Sequence, residues 1–223
     1  MLKEIGSNFW ITPDELKIKS SLNIDIKPFG CSGSDYVWLS SGRSAISYVL
    51  DSIEGKYKKL KRVVILPSFT CHTVIEPFLS RNYEIHSYHV DRNLASTAND
   101  LLHAVEKFQA GIILFHRYFG INTIKEINTA INFLRQKGIV VIEDCTQSYY
   151  STFERSDADY WIGSIRKWSG VPDGGFAMCR EGTFINKPKT MDKVLQDKKK
   201  NASILKYEYI RYNKGDKSIF LNM

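Results

Sequence analysis

Residues 139–147 read IVVIEDCTQ, a run of β-branched residues that ends in two acids, Glu143 and Asp144. Short apolar runs bounded by polar residues are typical of strands that are buried on both faces of a parallel sheet. A carboxylate at the end of such a strand is costly without a partner, so it usually meets a cation, a metal or a protonated ligand nitrogen. Taken alone, this stretch is explained more simply by a helix N-cap or a structural salt bridge.

Outward from this stretch, short β-branched runs alternate with helix-like segments. The predicted strands cover residues 37–39, 63–66, 84–89, 111–115, 139–143, 160–163 and 176–179, and the predicted helices cover residues 44–53, 73–80, 99–108 and 124–137. This alternation predicts an α/β fold with a mostly parallel central sheet and helices on both faces. In such sheets ligands lie beyond the carboxyl ends of the strands, so the polar residues there are the first candidates for a site.

The pattern divides the chain into three parts. Residues 1–35 are less regular, and the sequence Thr12-Pro13-Asp14-Glu15 predicts a short helix there, because it places a capping hydroxyl before a proline and two acids. Residues 36–182 carry the alternating pattern and form the main domain. Residues 183–223 are a lysine-rich helical segment, which we expect to be the start of a C-terminal region that is cut short.

The composition excludes several classes of protein. Of the 223 residues 43% are hydrophobic, which suffices for a packed core. No apolar run approaches the ~20 residues that span a bilayer, so we expect no transmembrane helix, no signal peptide and no membrane partner. Four scattered cysteines form no CxxC pair and suit reduced thiols in a cytoplasmic protein without a metal site. They are Cys31, Cys71, Cys145 and Cys179.

The formal charge of +7 at first suggests nucleic-acid binding. The lysines, however, concentrate after position 186, at Lys187, Lys189, Lys193, Lys198, Lys199 and Lys200. Such a charge run is usually a solvated helix face. We therefore expect no nucleic-acid partner, while attraction of a phosphorylated ligand stays open.

Two further polar stretches follow predicted strands. Residues 41–44 open a helix, and Gly42 among them permits the close approach of a phosphate to free backbone N–H groups, although capping alone also explains these small residues. Ser164, Arg166 and Lys167 follow the strand at 160–163. An amine beside another cation deprotonates more easily and can then attack an aldehyde carbon, but an ordinary surface basic pair is the simpler interpretation.

Taken in order, these stretches resemble the DegT/DnrJ/EryC1/StrS family of nucleotide-sugar aminotransferases, which are fold-type I pyridoxal-phosphate enzymes. The resemblance covers roughly residues 39–179. The matching phrases are residues 41–45 (the phosphate segment), residues 66–74 (Pro-x-x-Thr), residues 115–120 (His-x-Tyr-Gly), residues 143–147 (Glu-Asp-x-x-Gln), and Lys167 with residues 173–175 (Schiff-base lysine and Glu-Gly-Gly). Asp173 stands where the family has glutamate.

The resemblance implies the cofactor pyridoxal 5'-phosphate and a role for each matching residue. Lys167 would bind the cofactor covalently and move the substrate proton, and Asp144 would pair with the pyridine nitrogen. The resemblance places the cofactor phosphate against Ser41, Gly42, Arg43, Ser44 and Ser164, and the phenolic edge against Gln147. Cys71 and His72 stand where the family commonly has an aromatic residue on the ring, so stacking falls to His72 or Phe69, or is weaker.

The resemblance also implies transfer of an amino group, with glutamate as the probable donor, to a nucleotide-linked keto-sugar in cell-surface polysaccharide biosynthesis by a homodimer. Relatives that instead eliminate water from the sugar carry histidine in place of Lys167, which disfavours that reaction. Family members continue into a C-terminal domain that completes the substrate pocket. The alternative is therefore a catalytically incompetent, cofactor-binding homologue that associates with a full-length partner.

Overall fold

The computed structural model describes residues 10–14, 33–186, 188 and 193–221. Pro13 and Asp14 form a turn, whereas Glu15 and the rest of the helix predicted at Thr12 lie outside the described residues. The strands are β1 (Asp35–Leu39), β2 (Val63–Pro67), β3 (Glu84–Tyr88), β4 (Ile112–His116), β5 (Val140–Asp144), β6 (Tyr160–Ser164) and β7 (Gly175–Cys179). The helices are α1 (Gly42–Lys56), α2 (His72–Leu79), α3 (Ala98–Phe108), α4 (Ile127–Gln136), α5 (Lys193–Tyr212) and α6 (Lys217–Leu221).

All seven strands form one sheet in the order β1-β7-β6-β5-β4-β2-β3. Strand β7 runs antiparallel to both of its neighbours, and the other paired strands are parallel. The prediction of a mostly parallel α/β sheet is confirmed. Because six strands share one direction, their carboxyl ends lie along one edge, which we call the carboxyl edge.

The core consists of two apolar layers, one on each face of the sheet. Side chains alternate between faces along a strand, so Val64 packs against the layer under α1 and α2, whereas Ile65 packs against the layer under α3 and α4. Helix α1 contributes Leu50 to the first layer, and α4 contributes Ile131 to the second. Strands buried on both faces need apolar residues at every position, which explains the unbroken runs in the sequence.

The lysine-rich stretch forms α5, as its composition predicts. Most of α5 is exposed or half-buried, and α6 packs back on it through the rings of Tyr209 and Phe220, whose centroids lie 5.6 Å apart. In the part of the chain that the structure describes, none of the helices is long and apolar enough to cross a membrane.

Candidate functional site

The polar residues selected from the sequence converge at the carboxyl edge. Asp144 ends β5 directly opposite His116, which ends β4. Ser164 ends the adjacent strand β6, and a single 3-10 turn, Ile165–Lys167, follows it. The order of the strands therefore brings together residues that are far apart in sequence.

The start of α1 lies against the end of β6. A Cβ atom added to Gly42 would lie 3.4 Å from the Ser164 Cβ, so only a small residue allows this approach without displacing its neighbour. The Ser41 hydroxyl caps the helix by accepting the Ser44 N–H at 3.2 Å. Among the described residues, the N–H groups of Gly42 and Arg43 have no hydrogen-bond partner, which is the usual state of donors in the first turn of a helix. Such donors bind phosphate.

Gly174 and Gly175 set the position of the lysine-bearing turn. Gly174 has a φ of +124°, a conformation that L side chains rarely adopt, and its carbonyl accepts the Ile165 N–H at 2.8 Å. A Cβ atom on Gly175 would lie only 2.1 Å from the Ser41 carbonyl oxygen. The glycine pair thus lets the start of β7 pass between the cap of α1 and the turn that carries Lys167.

Lys167 is exposed at the end of its turn. The next residue, Trp168, donates its indole N–H to the Thr146 carbonyl at 2.6 Å, which ties the turn to the loop after β5. Hydrogen bonding from Thr73 is the main cause of a lowered pKa of the Cys71 thiol, and the charges of Lys167 and Arg43 add to it. Both cations therefore lie within electrostatic range of Cys71.

Asp144 is 7% exposed and keeps one oxygen available. Its Oδ1 accepts the Thr146 N–H at 2.9 Å, which leaves Oδ2 for a ligand. Burial lowers the pKa of the neighbouring His116, and the Asp144 charge and a hydrogen bond to the Phe69 backbone oppose this only in part. Burial therefore favours the neutral imidazole over the imidazolium at this position.

The Thr70 Oγ1 and the His116 Nε2, both at this edge, are among the buried polar atoms that have no hydrogen-bond partner within the described ranges. Buried polar groups are normally paired, so such atoms indicate a ligand or a water molecule. Neither residue was selected as a site residue from the sequence. The available signal was position, since His116 is the polar end of an otherwise apolar strand and Thr70 belongs to the Pro-x-x-Thr phrase.

Three other residues selected from the sequence lie at the carboxyl edge, and they are Gln147, His72 and Arg43. The Gln147 Oε1 accepts the Phe119 N–H at 3.0 Å, so its amide NH2 group is the part left to meet a ligand. His72 is exposed at the start of α2. The Arg43 guanidinium pairs with Glu76 at 3.2 Å, which leaves the backbone N–H of Arg43, rather than its side chain, to bind a phosphate.

The sequence model of the DegT/DnrJ/EryC1/StrS aminotransferase family matches residues 33–167, which is more than half of the chain. The chain belongs to this family. The predicted family is therefore confirmed, and the matched range ends at Lys167.

Solved structures confirm a fold-type I architecture for this member of the DegT/DnrJ/EryC1/StrS family. A NIFS-like protein is 16% identical with a TM-score of 0.56, over 80% of this chain and 55% of that chain. Ureidoglycine-glyoxylate aminotransferase from Bacillus subtilis is 13% identical with a TM-score of 0.55, over 86% of this chain and 52% of that one. The sugar aminotransferase CalS13 from Micromonospora echinospora is 17% identical with a TM-score of 0.53, over 74% and 44%.

The chain spans about half the length of these solved structures. Comparison with curated protein sequences gives no match.

The cofactor of the DegT/DnrJ/EryC1/StrS family is pyridoxal 5'-phosphate, and the residues at the carboxyl edge fit it. The free N–H groups at the start of α1 suit its phosphate, and the Asp144 Oδ2 suits its ring nitrogen. Lys167 supplies an exposed amine for its aldehyde. The unpaired Thr70 Oγ1 and His116 Nε2 are atoms that a polar ligand would satisfy.

Proposed function

We propose that this chain is the cofactor-binding part of an aminotransferase that moves an amino group from glutamate to a nucleotide-linked keto-sugar in cell-surface polysaccharide biosynthesis. The observation that carries the proposal is the meeting of Lys167, Asp144 and the start of α1 at one edge of the sheet. The sugar substrate is supported by the family and by the likeness to a protein described as a sugar aminotransferase.

The reaction assigns a task to each side chain. When bound, the cofactor supplies an aldehyde that accepts amines and a protonated ring that takes up electrons. The Lys167 Nζ would hold the cofactor through its aldehyde group and would carry a proton away from the substrate carbon. The Asp144 Oδ2 would accept a hydrogen bond from the protonated ring nitrogen. The start of α1 would hold the phosphate.

Borohydride reduction tests the covalent role of Lys167. The protein is incubated with pyridoxal 5'-phosphate, reduced, digested and analysed by peptide mass spectrometry. We expect the cofactor mass on the peptide that contains Lys167, and its loss in the Lys167→Ala variant. A Lys198→Ala variant, which removes an exposed lysine of α5, should keep the adduct. An adduct spread over surface lysines, or none at all, would contradict the proposal.

A second candidate function is cofactor binding without transamination, in a chain that associates with a full-length partner. Cys71 favours it, because a thiol stands where the family commonly has an aromatic residue on the cofactor ring. Addition of glutamate to the cofactor-loaded protein distinguishes the two. Conversion to the amine form of the cofactor supports the aminotransferase, whereas an unchanged absorbance spectrum supports the second candidate.

We infer a cytoplasmic location for the same protein. Cys145 and Cys179 are buried, Cys71 is exposed, and none of these three described cysteines forms a disulfide, which suits a reducing compartment. Thiol counting in cell extracts prepared under an alkylating agent tests this, because oxidised cysteines would argue for an exported protein.

A further inference from the structure

Next to Lys167, a second group of charges forms where α5 meets the glycine turn. The Gln196 Nε2 donates a hydrogen bond to the Asp173 Oδ2 at 3.0 Å, which fixes α5 beside this turn. The Ile165 N–H donates to the Gly174 carbonyl at 2.8 Å, which holds the turn that carries Arg166 against the glycine turn. Lys199 follows Gln196 by three residues on α5, so both lie on the same face of that helix. Arg166 and Lys199 are therefore both placed near Asp173, and their charges interact with it. Two cations therefore share one carboxylate, and one oxygen of that carboxylate already accepts a hydrogen bond from Gln196.

The group holds two cations against the one carboxylate of Asp173, and both cations are partly removed from water. The Arg166 Nε is buried and has no hydrogen-bond partner in the described part of the chain. Burial lowers the pKa of Arg166, with Asp173 opposing, and burial followed by the Arg166 charge lowers the pKa of Lys199. Because burial disfavours both charged forms and the Arg166 Nε is unpaired, a second anion beside Asp173 would stabilise the group.

The side chains of Arg166 and Lys167 lie in different surroundings, although the two residues are adjacent in sequence. In a 3-10 turn of about three residues per turn, consecutive side chains point about 120° apart. The charge of Lys167 acts on Cys71, whereas the charge of Arg166 acts on Lys199 and is itself opposed by Asp173. The cluster on α5 is therefore distinct from the phosphate site at the start of α1.

We propose that Arg166 and Lys199 bind a phosphate-type oxyanion at this junction of α5 and the glycine turn. A guanidinium presents a planar fork that matches two phosphate oxygens, and a lysine ammonium adds a point charge. Bound between them, the anion pairs with the free Arg166 Nε and balances the second cation. Its source is either the diphosphate of a nucleotide, an assignment that rests on the proposed function, or a free phosphate ion.

Isothermal titration of the cofactor-loaded protein with pyrophosphate tests the site. We expect saturable binding that weakens at least about tenfold, or about 1.4 kcal/mol, in both Arg166→Gln and Lys199→Gln. Lys198→Gln removes an exposed lysine one residue away and should bind as the wild type does. An Arg166→Lys variant keeps the charge without the fork and should fall between wild type and Arg166→Gln, while circular dichroism melting confirms that each variant folds.

A titration with a nucleoside diphosphate separates the two sources of the anion. Tighter binding than that of pyrophosphate assigns the site to a nucleotide, and equal binding assigns it to phosphate chemistry alone. Absence of pyrophosphate binding, or equal binding in both glutamine variants, overturns the proposal. So does a parallel loss of pyridoxal 5'-phosphate affinity in Arg166→Gln, because Arg166 would then serve the cofactor.

Failure of the proposed function and failure of the α5 anion site can be told apart by experiment. If the protein does not bind the cofactor, pyrophosphate is titrated into the unloaded chain and into a Ser44→Ala variant of the α1 site. Binding that Arg166→Gln weakens and Ser44→Ala leaves unchanged still supports the α5 site. The reverse pattern places the anion at α1 and rejects it.

Discussion

Cys71 combines exposure with stabilisation of its thiolate. The Thr73 hydroxyl donates to its Sγ at 3.1 Å, and this hydrogen bond is the main cause of a pKa below the ordinary thiol value. A lower pKa gives more thiolate at a given pH, so we predict that iodoacetamide modifies Cys71 much faster than the buried Cys145 and Cys179. Peptide mass spectrometry after timed alkylation at a series of pH values measures the three rates.

Two controls separate the causes of this reactivity. Thr73→Val removes the hydroxyl donor and should shift the rate profile of Cys71 to higher pH. Pyridoxal 5'-phosphate should slow the reaction, because Cys71 lies in the same neighbourhood as Lys167. A Cys71 rate equal to that of Cys179, whose pKa is raised by burial, would show that the thiolate is not stabilised.

His116 should make stability depend on pH. Burial lowers its pKa in the folded chain, so the unfolded chain binds the proton first as the pH falls. This contribution to the free energy of unfolding is complete above the ordinary histidine pKa of about 6.5 and is lost as the pH falls below it. Urea denaturation at a series of pH values should show that decline in the wild type and a flatter profile in His116→Asn.

His72 provides the matched control, because it is an exposed histidine at the same edge. The His72→Asn variant should keep the wild-type pH profile. Equal slopes in wild type and His116→Asn would mean that the buried imidazole does not cause the decline.

Single residues differ in how far the sequence reveals them. Asp144 and Lys167 are visible because each is a charged residue shortly after an apolar strand, within a phrase of recognisable spacing. Thr70 and His116 became candidates through unpaired buried atoms, which depend on neighbours distant in sequence. For the same reason the pairing of Arg43 with Glu76, on another helix, was not predicted.

The sequence predicted the helices and strands more completely than the contacts between them. Every strand was located within two residues of its ends, and the five interior strands were visible because burial on both faces demands unbroken apolar runs. Helix α4 begins later than predicted, since Ile124 is buried as the bridge partner of Ser96 and Glu126 adopts a left-handed φ of 55° just before the helix. The docking of α5 on Asp173 depends on Gln196, whose position no local pattern encodes.

The junction between β7 and α1 should be intolerant of any side chain at Gly175. Because Gly175 has no Cβ, the Ser41 carbonyl can lie beside it, whereas an added Cβ would be 2.1 Å from the Ser41 carbonyl oxygen. That oxygen belongs to the backbone, so it cannot move aside as the end of a flexible side chain can. We predict that Gly175→Ala lowers the free energy of unfolding by at least about 3 kcal/mol, the upper end for overpacked cores. Because the cap of α1 must shift, the variant should also bind pyridoxal 5'-phosphate more weakly, as measured by absorbance titration.

Gly138→Ala is the comparison for this variant. Gly138 has a φ of +74° with no atom within 4 Å of an added Cβ, so its substitution incurs only the conformational penalty. That penalty is about 1–2 kcal/mol, and cofactor affinity should not change. Equal losses in the two variants would show that the contact between Gly175 and Ser41 is not tight.

At the scale of the whole molecule, large aromatic side chains are exposed around the polar residues of the carboxyl edge. Large aromatic side chains follow the carboxyl ends of β2, β4, β5 and β6, and they are Phe69, Phe119, Tyr150 and Trp168. Phe119 is 70% exposed and Phe69 is 60% exposed. Exposed apolar patches around a site often mark an interface, so this aromatic rim supports the proposed homodimer.

Phe119 permits a clean test of that homodimer. It has a φ of 52°, a left-handed conformation that asparagine tolerates better than other side chains except glycine, so Phe119→Asn removes the ring without adding backbone strain. If the rim forms the interface, loss of one central aromatic side chain should weaken the dimer by about 2 kcal/mol, or about thirtyfold. Sedimentation equilibrium over a concentration series measures the constant. Phe133→Ala, which removes an exposed ring on α4, should leave it unchanged, and a dimer insensitive to Phe119→Asn would place the interface elsewhere.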